Sequence, residues 1–138
     1  MGLFEKAVEN KEVAEICKNK RKYNVGVSRA YYAVFQMAKH IMQKDHFDYE
    51  GFLSRKNPER TTYAYSHSTM CSALKWYLVH QKKINKSDLD ELAAWGGLYE
   101  RRLKADYEDS EIGIDCMEKS IRELNQVWAV LGAYGKRD

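Results

Sequence analysis

Between Tyr23 and Met42 the chain reads Tyr-Asn-Val-Gly-Val-Ser-Arg-Ala-Tyr-Tyr-Ala-Val-Phe-Gln-Met-Ala-Lys-His-Ile-Met, and its apolar residues recur at helical spacing twice over. Val27, Ala30, Val34, Met37 and Ile41 form one stripe, and Tyr31, Phe35, Ala38 and Met42 form a second beside it. A surface helix needs a single stripe, so two adjacent ones require packing partners on two sides. The segment from about Asn24 to Met42 is therefore expected to be the central helix of an all-α bundle. Arg29, Tyr32, Gln36 and Lys39 share its remaining face. A guanidinium among aromatics on a mostly buried helix has to be paired, with a carboxylate or with a phosphate, to offset its desolvation.

The remaining composition agrees with helices throughout. The 138 residues hold one Pro and many good helix formers, and a 31% charged share sits beside an ordinary hydrophobic share. That describes one globular domain, residues 1–138, with enough chain to bury a core and too much apolar content for disorder. A net charge of +3 permits contact with nucleic acid without requiring it. Cys17, Cys71 and Cys116 lie far apart, which suggests neither a disulfide framework nor a CxxC zinc site. Buried thiols in a reducing cytoplasm are expected. No run approaches the ~18 apolar residues of a membrane span, and the Met-Gly-Leu-Phe-Glu-Lys start lacks a signal-peptide core. The reading is a cytoplasmic protein with no membrane partner.

Around the central helix, Leu3 to about Lys20 keeps a helical period and ends in the basic cluster Lys18, Lys20, Arg21 and Lys22, where cations suit a helix C-terminus. Asn24 is the expected cap of the helix that follows. From Lys44 to Thr62 the period stops, predicting a long loop with at most one short helical turn, pinned by Phe47, Tyr49 and Phe52. Ser66 or Ser68 opens the next helix, which turns Met70, Leu74, Tyr77 and Leu78 inward and ends near His80. Ser87 and Asp90 resemble a capping box at the start of a fourth helix, whose predicted buried face is Leu89, Leu92, Ala93, Gly96, Tyr99 and Leu103. Gly96-Gly97 inside that helix costs roughly 1 kcal/mol per glycine, which suggests close approach of another backbone, from the same bundle or a second protomer. The last helix, about Glu111 to Ala133, carries Ile114, Met117, Ile121, Leu124, Trp128 and Leu131 as a seam.

Sequence patterns for catalysis are sparse. There is no Gly-rich phosphate loop, HExxH or GxSxG. His67 and Cys71 stand four apart, but no second pair completes a metal site, so no metal and no cofactor is expected. Arg102 and Asp106 are i, i+4 neighbours and predict an intrahelical ion pair. The alternative is that Arg102 lines a cleft with Arg29, Tyr32 and His67 from other helices, an arrangement suited to a phosphate.

Three blocks of residues, Arg29-Ala-Tyr-Tyr-Ala-Val-Phe, Ser66-His67-Ser68 and Arg102-Leu-Lys-Ala-Asp-Tyr107, occur in an order that resembles the HEPN (higher eukaryotes and prokaryotes nucleotide-binding) domain family. The resemblance covers about residues 5 to 130. It implies an up-and-down bundle of four or five helices that forms a homodimer around its Arg-bearing helices. Many members are metal-independent ribonucleases of toxin–antitoxin or phage-defence systems, and toxin members often pair with a nucleotidyltransferase-type antitoxin. Their catalytic pattern is an Arg followed by a His. Here Arg102 matches the Arg, Tyr107 stands where the His is expected, and no His follows His80. The resemblance thus implies Arg102, His67 and Tyr107 as catalytic candidates, with Arg29, Tyr32 and Asp106 binding RNA or a nucleotide. The competing expectation is a non-catalytic HEPN module that binds a nucleotide or a partner protein.

Overall fold

The computed structural model describes residues 2–108 and 111–135, and among them every regular element is a helix. In chain order these are α1 (Leu3–Asn19), α2 (Tyr23–Lys44), α3 (Tyr49–Lys56), α4 (His67–His80), α5 (Lys86–Glu91), α6 (Ala94–Tyr107) and α7 (Ile114–Gly135). The all-α architecture expected from the periodicity is what the chain adopts.

The central helix is α2, which packs against α1, α4, α6 and α7. Both predicted stripes are buried along its length, with Val27, Ala30, Val34 and Ile41 on one and Tyr31, Ala38 and Met42 on the other. Helix α1 runs antiparallel to it, as the pairings Phe4 with His40, Asn10 with Gln36 and Cys17 with Gly26 require. The turn between them closes with Lys22 N–H donating to the Cys17 carbonyl at 2.8 Å, while Arg21 takes a left-handed φ of 58°. Asn24 does not cap α2, which starts one residue earlier without a side-chain cap. Its amide donates instead to the Ala105 carbonyl at 3.1 Å, tying the start of α2 to the end of α6.

The expected loop from Lys44 to Thr62 holds a two-turn helix, α3, in its middle. Asp48 caps α3 by accepting from Gly51 N–H, and Tyr49, Phe52 and Leu53 are buried. Eight residues are too few to reveal a period, which is why the aromatic anchors were legible and the helix was not. The irregular stretch is 57–66, after α3. Helix α4 is opened by Ser66 in a capping box with Thr69, and Met70, Leu74, Tyr77 and Leu78 are buried as predicted.

The single fourth helix expected to start at Ser87 is two. Asn85, not Ser87, caps α5 by accepting from Asp88 N–H, and α5 ends at Glu91. The break resets the phase, so Leu92, Ala94, Trp95 and Leu98 are buried while Ala93 is exposed. The expected close backbone at the glycine pair is absent within the described chain. A Cβ on Gly96 would meet nothing within 4 Å, and one on Gly97 would meet the Glu123 carboxylate. On α7 the buried face is Met117, Ser120, Leu124, Val127 and Leu131, with Ile114 exposed and Ile121 and Trp128 half-buried. The Ser120 hydroxyl and Glu123 carboxylate together hold the Arg101 guanidinium, which packs α6 on α7 through a polar contact that no apolar seam would reveal. In the sequence Gly132 and Gly135 with Lys136 and Arg137 mark the stop of this helix; Lys136 and Arg137 lie outside the described residues.

Candidate functional site

Helices α2, α4 and α6 meet where their aromatic residues cluster. Tyr31, Tyr32 and Phe35 of α2, His67 of α4, Tyr99 and Arg102 of α6, and Tyr65 and Ser66 before α4 line a cleft of about 390 Å³. Tyr31 and Tyr32 are consecutive, so their rings leave α2 in different directions and meet edge to face with centroids 5.4 Å apart. Arg102 occupies the angle between them, its guanidinium 5.5 Å from the Tyr31 ring and 5.1 Å from the Tyr32 ring. Cation–π attraction to the two rings favours this position.

Hydrogen bonds fix the same guanidinium. Arg102 Nη2 donates to the Tyr32 phenol oxygen at 2.6 Å, and Nε donates to Asp106 Oδ2 at 3.1 Å. Asp106 also accepts from Ser28 Oγ at 3.3 Å, which ties the carboxylate back to α2. Burial opposes the charge on Arg102, but the phenolic oxygens of Tyr32 and Tyr107 and the Asp106 carboxylate outweigh it, so its pKa rises above the ordinary arginine value. The predicted Arg102–Asp106 ion pair is present, and Tyr32 is its third member.

His67, first residue of α4, is oriented by the Ser66 cap immediately before it. Its ring lies flat on Tyr99, centroids 3.9 Å apart and 5° from parallel. Nδ1 is 3.1 Å from the Tyr31 hydroxyl, and Nε2 is 3.6 Å from Cys71 Sγ. Burial, with Lys75 second, lowers the His67 pKa below the usual histidine value, so the ring is neutral at pH 7. Burial also pushes the Tyr31 phenol well above its usual range and the Cys71 thiol up to about 11. Tyr31 therefore keeps its O–H proton, and Cys71 is a thiol and not a reactive thiolate. Although His67 and Cys71 are close, no group of three metal-ligating side chains occurs among the described residues.

Arg29, His67, Arg102 and Asp106, expected to converge on one cleft, are divided between two adjoining ones. His67 and Arg102 line the one described above. Arg29 and Asp106 line the second, of about 420 Å³, with Asn24, Val25, Ser28 and Ala105. Tyr32 belongs to both and forms the wall between them. Arg29 is exposed and not enclosed by aromatics, because its side chain reaches α1, where Nη1 donates to Asn10 Oδ1 at 3.2 Å. Asn10, 9% exposed, is a polar position in an otherwise apolar face of α1, and its amide also donates to Gln36. Tyr107 is 72% exposed at the rim, with Arg102 5.6 Å from its ring.

No protein-family model and no curated protein matches this chain.

Two residues that the sequence places in the core also line the cleft. Tyr31 was read as part of an apolar stripe and Tyr99 as part of a buried face, yet their rings form the walls around His67. Tyr65 carried no signal, but it stacks on Tyr49 with centroids 4.3 Å apart and receives the Lys39 ammonium at the same distance. A tyrosine counts as apolar in any periodicity, so its hydroxyl chemistry stays hidden until the neighbours are known.

Proposed function

We propose that this chain is a HEPN-like helical module of a prokaryotic toxin–antitoxin or phage-defence system that binds RNA at the cleft between α2, α4 and α6. The observation that carries the reading is Arg102, fixed among Tyr31, Tyr32 and Tyr107 beside a neutral His67. Aromatic faces stack unpaired bases irrespective of sequence, and a guanidinium held in place among them meets the phosphate. Arg29 adds a second permanent cation across the Tyr32 wall, with the neutral Asn10 amide as its hydrogen-bond partner, while Asp106 is engaged by Arg102. The site thus favours an anionic ligand over a closed ion pair. In line with the resemblance, the active form is a homodimer, and a nucleotidyltransferase-type antitoxin is the partner class.

Two functions remain for the bound RNA. Metal-independent cleavage would move the 2′-hydroxyl proton to a base as the 2′ oxygen attacks phosphorus, with the 5′ oxygen leaving and taking up a proton. His67 in the same cleft as Arg102 favours this, since its unprotonated form is available as a general base, though burial makes it a weaker one than a free imidazole. The non-catalytic reading is favoured by the contacts of that imidazole, with Tyr31 at one nitrogen, Cys71 at the other and Tyr99 across its face. A ring engaged on both nitrogens must be released before it can move a proton. We therefore place binding first and cleavage second.

The test is an RNA-binding titration and a cleavage assay on the same labelled RNA with metal chelated, for wild type, Arg102→Ala and His67→Gln. Loss of binding in Arg102→Ala, with the fold retained by circular dichroism, supports the cleft. Product that forms in wild type and vanishes in His67→Gln moves the reading to an endoribonuclease. Unchanged binding in Arg102→Ala overturns both.

A further inference from the structure

A second cavity, of about 150 Å³, is lined by Lys56 of α3, Arg60 in the irregular stretch, and Ser68, Thr69 and Ser72 of α4, with Leu53. We propose that it binds the tetrahedral oxyanion of a phosphate group.

Three observations converge on that chemistry. The cavity brings together two cations, and no ion pair among the described residues involves either of them. Arg60 Nε is buried and has no hydrogen-bond partner, so its N–H has lost water without gaining an acceptor. A buried donor of a charged group in that state calls for an anionic acceptor. Ser68 and Ser72 are one turn apart on α4, so both hydroxyls leave the helix on one side. Thr69 contributes less, because its hydroxyl is occupied by Tyr49, Ala64 and the Ser66 cap. The Ser68 hydroxyl has a long contact of 3.5 Å to Ser66 Oγ.

The position of Arg60 is built rather than incidental. Its N–H donates to the Asn57 carbonyl at 3.0 Å, and its own carbonyl accepts from the Tyr63 hydroxyl, which also bonds Ser54. The turn is thereby fastened to α3. The first turn of the 14-residue α4 adds the positive end of a helix dipole beside Ser68. The volume is several times the ~30 Å³ share of a water molecule, which leaves room for an oxyanion. Two cations with two hydroxyls also exceed what a single carboxylate takes up, and suit a doubly charged or multiply accepting group.

The oxyanion has two sources, free phosphate or a phosphodiester of an RNA strand, since Ser66 and His67 of the aromatic cleft directly precede Ser68. The experiment follows the Arg60 Nε–H and the Ser68 and Ser72 amides in nitrogen-15-labelled protein. Sodium phosphate is titrated against sodium chloride at equal ionic strength, and an octaribonucleotide with hydroxyl ends is titrated separately. We expect saturable shifts with phosphate that chloride does not produce, lost in Arg60→Gln and weakened roughly fivefold to tenfold in Lys56→Gln. The same shifts at lower concentrations of the oligonucleotide assign the site to a strand phosphodiester, and shifts with phosphate alone assign it to free phosphate. Equal shifts with chloride, or none with phosphate or oligonucleotide, overturn the proposal. Arg102→Ala separates the two sites. It leaves the Arg60 response to inorganic phosphate intact, so failure here and failure of the RNA reading are independent outcomes.

Discussion

Arg102 donates to the phenol oxygen of Tyr32 across 2.6 Å, joining α6 to α2 at the wall between two clefts. The bond is charge-assisted and half-buried, so its loss is felt in stability as well as in any ligand contact. Tyr32→Phe keeps the ring over the guanidinium and removes only the acceptor. The expected cost is about 1–2 kcal/mol, a melting temperature lower by roughly 3–6 °C, with binding of RNA reduced much less than in Arg102→Ala. Calorimetry beside an anisotropy titration checks this. Equal binding losses in the two variants would mean that the phenol, and not the cation, meets the ligand.

The pH dependence of stability should carry the mark of His67. Its folded pKa lies below the unfolded value near 6.5, so the unfolded chain binds more protons in the interval between them. Its neutral form contributes full stability above about pH 6.5, and that contribution falls as the pH drops through the folded pKa. Wild type is expected to lose more stability between pH 7.5 and 5 than His67→Gln does. Denaturant melts at the two pH values measure the difference, and a larger loss in the variant would show the opposite sign.

Glycine replacements test the packing of the central helix. A Cβ on Gly26 would come within 2.9 Å of the Cys17 Cβ and 2.8 Å of the Met117 side chain, where α1, α2 and α7 meet. Gly26→Ala is expected to destabilise by about 1–3 kcal/mol. At Gly96 the same change meets open space, so it should stabilise by about 0.5–1 kcal/mol through helix propensity. Urea unfolding of both variants reads the contrast directly. A destabilised Gly96→Ala would instead point to a second chain packed at that position.

Removing the cap of α4 reaches the site without touching it. Ser66→Ala deletes the half of the capping box in which the Ser66 hydroxyl accepts from Thr69 N–H, leaves the Ser66 N–H bond to the Thr69 hydroxyl, and is expected to cost about 1 kcal/mol. Because His67 is the next residue, amide exchange should speed up in the first turn of α4, and the shifts of the His67 ring should change. Uniform loss of protection across all helices would argue for a global effect.

Replacing a left-handed residue should do the reverse. His46 closes α2 at a φ of 54°, with Phe47 N–H donating to the Met42 carbonyl at 2.9 Å. His46→Gly relieves the side-chain clash of that conformation and is expected to add about 1 kcal/mol. A thermal melt suffices to check it.

What was legible in advance follows from which forces leave a periodic trace. The two stripes of α2 and the inward face of α4 were plain, because burial selects apolar residues at fixed spacing. Helix ends were less so. Arg21, His46 and Lys83 hold left-handed conformations where glycine is the usual signal, so the stops after α1, α2 and α4 left no glycine to read. The break between α5 and α6 hides for another reason: Leu89, Leu92 and Trp95 keep an apparent period across it. At the site, the Arg102–Asp106 pair could be read from its i, i+4 spacing. The pairing of Arg29 with Asn10 could not, because it joins residues 19 apart on two helices, and an Asn on an apolar face has no unique partner. Tyr31 and His67, 36 positions apart, present the same difficulty.

The cleft draws its walls from residues as distant as Tyr31 and Arg102, and α6 is held in place by α7 through Arg101, Ser120 and Glu123. During synthesis, α1 and α2 emerge first and make neighbouring contacts that form early, whereas those of α7 close the longest loops. A chain lacking the residues from Ile114 onward therefore has every residue of the cleft but lacks the polar contact that braces α6 from behind. The last support of the cleft is thus the last to be made, supplied by a helix that contributes none of its lining.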